Sequence, residues 1–454
     1  MSPIKSLVRK HQMKIKRKEK IKLRKHLNAD ALFNSVRTGF GNIQDHRNGN
    51  TGIPLRDALM SGFAMFSIKD PSLLAFDERR NAPHNLKTIY GIGSIPCDTS
   101  MREILDDVAP NDLRPLFKAA FRPLQRGKAL EKMLFMNDCY LLNLDGTGYF
   151  SSNKLHSDSC MEKVNSKTGE VTYYLQTVGA AIVHPDYKEV IPLCPETIRK
   201  QDGETKNDCE RNAIRRMLRK LRQDHPHLKF IVNEDALSSN APHLEDLEEH
   251  NCHYILGVKE GDHKFLFQYV KQAVESGEST ELTIADEKNT AITHYFRIVY
   301  NAPLNKSNQN RRVTFVEYWE DNAKTGKTQH FSWITDLDIT EENVCQFMRG
   351  ARARWKIENE TFNTLKNQGY HFGHNFGLGK QHLSEIFVML MMLAFLVDQI
   401  LQLCCPLFNA AWKKWKTKRS LWEKIRSKFH DFHIETMEDL YRSILEHKQV
   451  PLPK

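Results

Sequence analysis

The chain predicts a mixed α/β fold in which a β-rich stretch interrupts a sheet domain and helical regions lie on both sides. Two textures carry that prediction. From residue 135 onward, short runs of β-branched and aromatic residues alternate with amphipathic helical sequence. Between residues 281 and 335, four strand-like segments follow one another, and Asn322-Ala323-Lys324-Thr325-Gly326-Lys327 joins two of them as a hairpin.

Taken in order, residues 1–28 are a basic arm. Lys and Arg dominate as far as residue 26, with Glu19 the only acid. Such a run reads both as a solvated tail and as a contact arm for phosphates, and the two are compatible. Residues 29–130 read as a small helical, DNA-binding domain with helices at 55–67, 72–80, 99–108 and 112–125. Pro54, Pro71, Pro83, Pro96 and Pro110 punctuate them, and Ser72 and Thr99 are the expected N-caps. Residues 131–259 give strands at 135–150, 172–184, 189–193, 229–233 and 252–258. A helix at 207–223 turns Cys209, Ala213, Met217 and Leu221 to one side. Residues 260–335 are the β-rich insertion, with strands at 281–285, 293–300, 312–319 and 329–335. Residues 336–400 return to the sheet domain with a helix at 340–366. Residues 401–454 form a basic helical region in which Lys413, Lys414, Lys416, Lys418 and Arg419 interleave with Trp412, Trp415 and Trp422.

At 454 residues the chain is long enough for two or three domains. Its formal net charge of +10 favours a polyanionic partner, nucleic acid or an anionic surface. The membrane reading is the weaker one. The long apolar run at 386–397 is too short to span a bilayer and ends at Asp398 and Gln399, so it reads as a buried core helix. The basic N-terminus lacks the apolar segment of a secretory signal. Nine cysteines form no CxxC pair, and Cys139, Cys194, Cys252 and Cys345 sit within apolar sequence. That usage implies neither a disulfide framework nor a zinc site and fits a reducing cytoplasm. His156 and Cys160 are two ligand types in one polar loop, which is too few for a metal site.

Three acids stand where chemistry would need them. Within the 340–366 helix, Val344, Phe347, Met348, Ala351, Trp355, Phe362 and Leu365 form an apolar stripe, and Glu358 falls on it. A carboxylate facing a core must be paired, protonated or metal-bound. Arg354, one turn earlier, reaches it, so a structural ion pair is one reading. Asp145 lies inside the first strand and precedes Gly146-Thr147-Gly148, where missing side chains let a phosphate or another backbone approach. Asp235 follows the strand at 229–233, at the carboxyl end where open α/β sheets place their sites. If those two strands are parallel neighbours, the two aspartates stand side by side and the helix brings the third acid. Three such carboxylates repel unless a divalent cation neutralises them, and hard oxygen ligands favour Mg²⁺ or Mn²⁺. Other readings stand beside this one. Asp145-Gly146 also makes a plain turn, Asp235 also caps the following helix, and Asp138, Asp208, Glu210 and Glu234 are rival acids.

The stretch RWKIENETFNTLKNQGY, residues 354–370, resembles the signature around the catalytic Glu of DDE transposases from bacterial insertion sequences, the insertion-sequence-four type above all. LDGTGYFSS around Asp145 is similar to the first-Asp motif, and IVNEDALSSNAPHL around Asp235 to the second. CDTSMREILDDV, residues 97–108, resembles the N-terminal region of such proteins. The resemblance runs from about residue 54 to 380. It implies an RNase-H-like catalytic domain with a β-rich insertion before the last acid, and metal-dependent cleavage and joining of DNA strands. Asp145, Asp235 and Glu358 would hold two Mg²⁺ ions, and Arg354 and Lys366 would contact DNA. Arg354 matches the signature in position. Ala351 replaces its Tyr, and Lys366 stands one residue late, with Leu365 at the expected spacing. In some relatives an aromatic residue of the insertion aids a DNA-hairpin step. Trp319 and Trp333 are the candidates, against the simpler reading of inward-facing sheet residues. The implied partners are terminal inverted repeats, target DNA and a second copy of the chain in a synaptic complex, in a cytoplasmic, nucleoid-associated setting. Two further readings are an inactive, domesticated DNA-binding protein and a nuclease that does not join strands.

Overall fold

The computed structural model describes residues 23–49, 51–81, 83–203 and 206–446. Most of the basic arm thus lies outside the described residues. The centre of the molecule is a mixed sheet of strands β1 (Tyr140–Ser152), β2 (Met161–Val164), β3 (Val171–Val183), β4 (Ile191–Pro192), β5 (Glu196–Ile198), β6 (Phe230–Glu234), β7 (Cys252–Gly257), β8 (Thr280–Ala285), β9 (Ile292–Pro303), β10 (Arg312–Asn322) and β11 (Lys327–Thr335). The main path runs β2-β3-β1-β6-β7-β11-β10-β9-β8, with β4 and β5 paired to β3. β1 is antiparallel to β3 but parallel to β6, and β6 is parallel to β7. All five residues of β6 are buried, as expected of a parallel strand covered on both faces. This mixed sheet with flanking helices is compatible with an RNase-H-like core. The four strands of residues 280–335 join the same sheet, because β11 pairs antiparallel with β7.

The Lys206–Asp224 helix forms where the 3.6-residue pattern predicts it, and Cys209, Ala213, Met217 and Leu221 are all buried. It packs on β3 and β5, and the Ala241–Glu249 helix beside it packs on β7. Ser72 caps its helix by accepting from the Ala75 amide. Other expectations need correction. Cys97 rather than Thr99 is the N-cap of its helix, because Asp98 is already helical. β1 begins at Tyr140, since Asn137 and Asp138 turn through positive φ just before it. The Lys264–Glu275 helix, β2 and β5 were not legible in the pattern.

The largest correction falls on residues 340–366, which are not one helix. An α-helix spans Val344–Arg352, the backbone turns at Ala353 and Arg354, and a π-helical segment, Ile357–Phe362, leads into Asn363–Asn367. The break and the wider π turn rotate the face presented downstream. Trp355 leaves the apolar stripe and is 43% exposed.

The Leu383–Cys404 helix is long and apolar enough to cross a membrane, yet 94% of its most apolar window is buried inside the fold. It packs against the Leu55–Ser67, Asp98–Asp106 and Pro110–Arg126 helices from the first part of the chain. The last helices, Pro406–Trp415, Lys418–Asp431 and Met437–Glu446, return to the same body. Asp30 accepts from the Met437 and Glu438 amides at 2.7 and 3.1 Å. Asn85 donates to the Phe429 and Phe432 carbonyls. Where these elements meet, buried Lys69 pairs with Asp398 at 2.6 Å and lies over the rings of Tyr370 and Trp422.

Candidate active site

The parallel register sets the site. Asn143 on β1 lies opposite Asn233 on β6, so Asp145, inside β1, and Asp235, just past the end of β6, each two residues further, come level where the parallel pairing of the two strands ends. Both line one small cavity, together with Glu210 and Ser238. Asp235 is exposed and its Oδ1 accepts from the Leu237 amide at 3.0 Å, so it caps a short helix while also facing the cavity. The condition placed on the sheet, parallel adjacency of these two strands, is met.

The broken helical segment lies across β1 and β3. The Phe362 ring sits on Gly179, the residue paired with Asp145, at 2.7 Å from where a Cβ would stand. Only a glycine there lets the segment settle this low. Lys366 donates to the Thr147 hydroxyl at 2.9 Å, two residues along β1 from Asp145 and on the same face. Asn143 donates to the Ala353 and Arg354 carbonyls, and Asn233 to those of Gly350 and Ala351.

Glu358 is not in the core. Its side chain is 48% exposed and accepts from the Arg354 guanidinium at 2.5 Å. The expected Arg354–Glu358 pair therefore exists, but as a solvated one at the edge of the site. The reason is the break at Ala353–Arg354, which the apolar periodicity did not reveal.

The electrostatics single out Asp145. Burial pushes its carboxyl up to about 7; the Arg354 charge opposes this, and the carboxylates of Glu210, Glu358 and Asp235 add to it. Four acids thus share one field. Glu210 arrives from the opposite face of the sheet, on the Lys206–Asp224 helix, and its carboxylate lies 2.7 Å from where a Gly146 Cβ would be. The glycine after Asp145 makes room for that carboxylate rather than for another backbone. The other rival acids have different places. Glu234 is buried against His243 at 2.6 Å and accepts from Ser238. Asp138 lies in the turn at the far end of β1. The Asp208 side chain lies outside the described residues.

Among the described residues no three His, Cys, Asp or Glu side chains stand close enough to hold a metal ion as they are. Glu358 is turned to Arg354 instead. The donor chemistry still suits a hard divalent cation: the available groups are carboxylates, and burial with repulsion from neighbouring acids pushes the Asp145 carboxyl up, a cost that a positive charge beside it would offset.

Beside Asp235 opens a groove of about 1330 Å³ between the ends of β6 and β7, the Lys264–Glu275 helix and Arg352–Trp355. Lys264, Lys271, Arg297, Arg354 and the exposed Trp355 are among the side chains lining it. Trp333, by contrast, is buried and packs edge-on against Phe347. Trp319 is half-buried, stacked on His330, with the Arg297 guanidinium 5.1 Å from its ring centre. Ala351, in the place of the signature Tyr, is buried and presents no polar group.

Residues 183–396 match the family model of the transposase DDE domain. The match supports a DDE transposase. It contains Asp235, Arg354, Glu358 and Lys366, while Asp145 lies on the strand that precedes it. Transposases act on DNA, and DDE transposases generally use divalent metal ions. No curated protein matches the chain. The residues sequence reasoning passed over are the two asparagines. A signal was present, because Asn-x-Asp occurs in both strand segments, as Asn143-Leu144-Asp145 and Asn233-Glu234-Asp235.

Proposed function

We propose that the chain is a transposase of the insertion-sequence-four type, cutting DNA at the ends of a mobile element and joining those ends to target DNA. The observation that carries this reading is the level placement of Asp145 and Asp235 on adjacent parallel strands, beneath a segment that supplies Arg354 and Glu358. Asp145, Asp235 and Glu358 are the acids that would hold the divalent ions, with Glu358 exchanging its Arg354 partner for that role. Two bound Mg²⁺ or Mn²⁺ ions would supply charge neutralisation and a clamp on the attacking and leaving oxygens of an in-line displacement.

The protein's own residues do the rest. Arg354, released from Glu358, is free to hold a phosphate beside the scissile bond, where guanidinium geometry suits two oxygens at once. Lys366, held by Thr147, adds positive charge on the other side of Asp145. The groove next to Asp235 offers lysines and arginines for the backbone and Trp355 as a stacking surface. The terminal repeats, target DNA and a second chain copy in a synaptic complex are the proposed partners, and a cytoplasmic, nucleoid-associated setting goes with them.

The test is an assay with purified protein, a labelled element end, target plasmid and Mg²⁺. Cleavage with joining is expected from the wild type. Asp145→Asn, Asp235→Asn and Glu358→Gln should each abolish both steps and still bind the end. Cleavage without joining would replace this reading by a nuclease. Salt-sensitive binding with neither step would replace it by a DNA-binding protein.

A further inference from the structure

We propose that Asn143 and Asn233 act together as a positioning clamp, fixing the segment that carries Arg354 and Glu358 over the two aspartates. The inference rests on the reading of Asp145, Asp235 and Glu358 as the reacting acids.

A carbonyl oxygen has two lone pairs, so one that accepts a backbone amide in a tight turn can still take a second donor that fixes the turn in place. The Val344–Arg352 helix stops over the buried centre of the sheet. The carbonyls of Gly350, Ala351, Ala353 and Arg354 around that break already accept the amides of Ala353, Arg354, Lys356 and Ile357 in tight turns, and each takes a second hydrogen bond from a side-chain amide below. Asn233 donates to Gly350 and Ala351 at 3.0 and 3.3 Å, and Asn143 to Ala353 and Arg354 at 2.8 and 3.1 Å. Since carbonyls only accept, the nitrogens must face upward. Each amide has two N–H groups and two carbonyl partners, so both donors of each are used.

The two asparagines are register partners on β1 and β6, 0% and 1% exposed. Their Oδ1 atoms are buried and have no partner among the described residues. Neighbours along the same strands, Leu141, Leu142, Ile231 and Val232, are fully buried apolar residues. Two apolar side chains here would avoid two unsatisfied acceptors, so packing alone does not account for the asparagines. What they add is geometry. Each stands two residues before an aspartate, on the same strand face, so the acids and the clamp belong to one rigid pair of strands. The break held above them fixes where Arg354 emerges and where the π-helical turn bearing Glu358 begins. A π-helical turn inside a helix recurs at functional sites, and here it is the clamp that sets its start.

The test uses Asn143→Leu and Asn233→Leu, singly and together, in the full chain. Leucine keeps the branching at Cγ, is somewhat larger, and removes the donors. Amide hydrogen exchange across residues 350–362 is measured with the melting temperature, end binding and single-turnover cleavage in Mg²⁺. In the double variant, exchange in that segment should rise by about tenfold or more with the melting temperature maintained. Cleavage should fall on the order of 100-fold, as for a misplaced reacting group, with end binding within about twofold. Unchanged exchange overturns the clamp whatever the activity. Faster exchange with cleavage within about twofold of wild type also overturns it. A wild type that does not cleave defeats the functional reading instead, and exchange alone then decides the clamp. If the leucine variants do not fold, the isosteric Asn233→Asp, which sets an acceptor against the carbonyls, carries the same readouts.

Discussion

A single carboxyl group shows how this site stores its chemistry. Asp145 is pushed from its ordinary value near 3.8 to about 7 by burial and neighbouring acids. The folded chain therefore binds that proton more tightly than the unfolded chain. The associated stability is fully present near pH 4, declines as pH rises, and is gone above about 7. Every tenfold gain in proton affinity on folding is worth about 1.4 kcal/mol, less whatever solvent screening removes. We expect Asp145→Asn to gain roughly 2 kcal/mol over the wild type at pH 8 and little at pH 4. Melting curves at both pH values, in chelator, check this. Arg354 makes the opposite case. Its pair with Glu358 is solvent-exposed, so Arg354→Ala should change stability by less than about 1 kcal/mol. Cleavage should fall steeply even so, because phosphate positioning is lost. A large loss of stability at unchanged cleavage would return Arg354 to a structural role.

At the scale of elements, the fit of the broken helix on the sheet depends on a missing methyl group. Gly179→Ala would drive its Cβ into the Phe362 ring, and overpacking of this kind costs about 1–3 kcal/mol. Phe362→Leu should recover part of that loss, which a double-mutant cycle measures as a coupling above about 0.5 kcal/mol. The same element marks where sequence reading ran out. Strands β3, β6, β7, β9 and β10 and the Lys206–Asp224 helix were legible because each buries one regular face or lies wholly inside. The Val344–Asn367 region also shows an apolar period, but the side-chain amides that bond to its break come from Asn143 and Asn233, more than a hundred positions earlier. No local pattern announces a break bonded to distant side chains. Asp145 was legible from its place inside a strand before Gly146-Thr147-Gly148, and Asp235 because it follows a strand end. The solvated position of Glu358 and the approach of Glu210 through the gap at Gly146 depend on tertiary placement alone.

For the whole molecule, the joint between early and late helices is held by a buried charge. Burial pushes the Lys69 ammonium down, and the Asp398 carboxylate opposes this. Lys69→Met strands Asp398 without the cation it touches, leaving it the Tyr370 hydroxyl, and should cost about 3–5 kcal/mol. Adding Asp398→Asn should return part of it, measured by chemical denaturation. The apolar Leu383–Cys404 helix has a further consequence for what this gene can make. Its partners are helices translated hundreds of codons earlier, so those helices wait with bare greasy faces until it emerges. A product ending near residue 380 should collect in inclusion bodies.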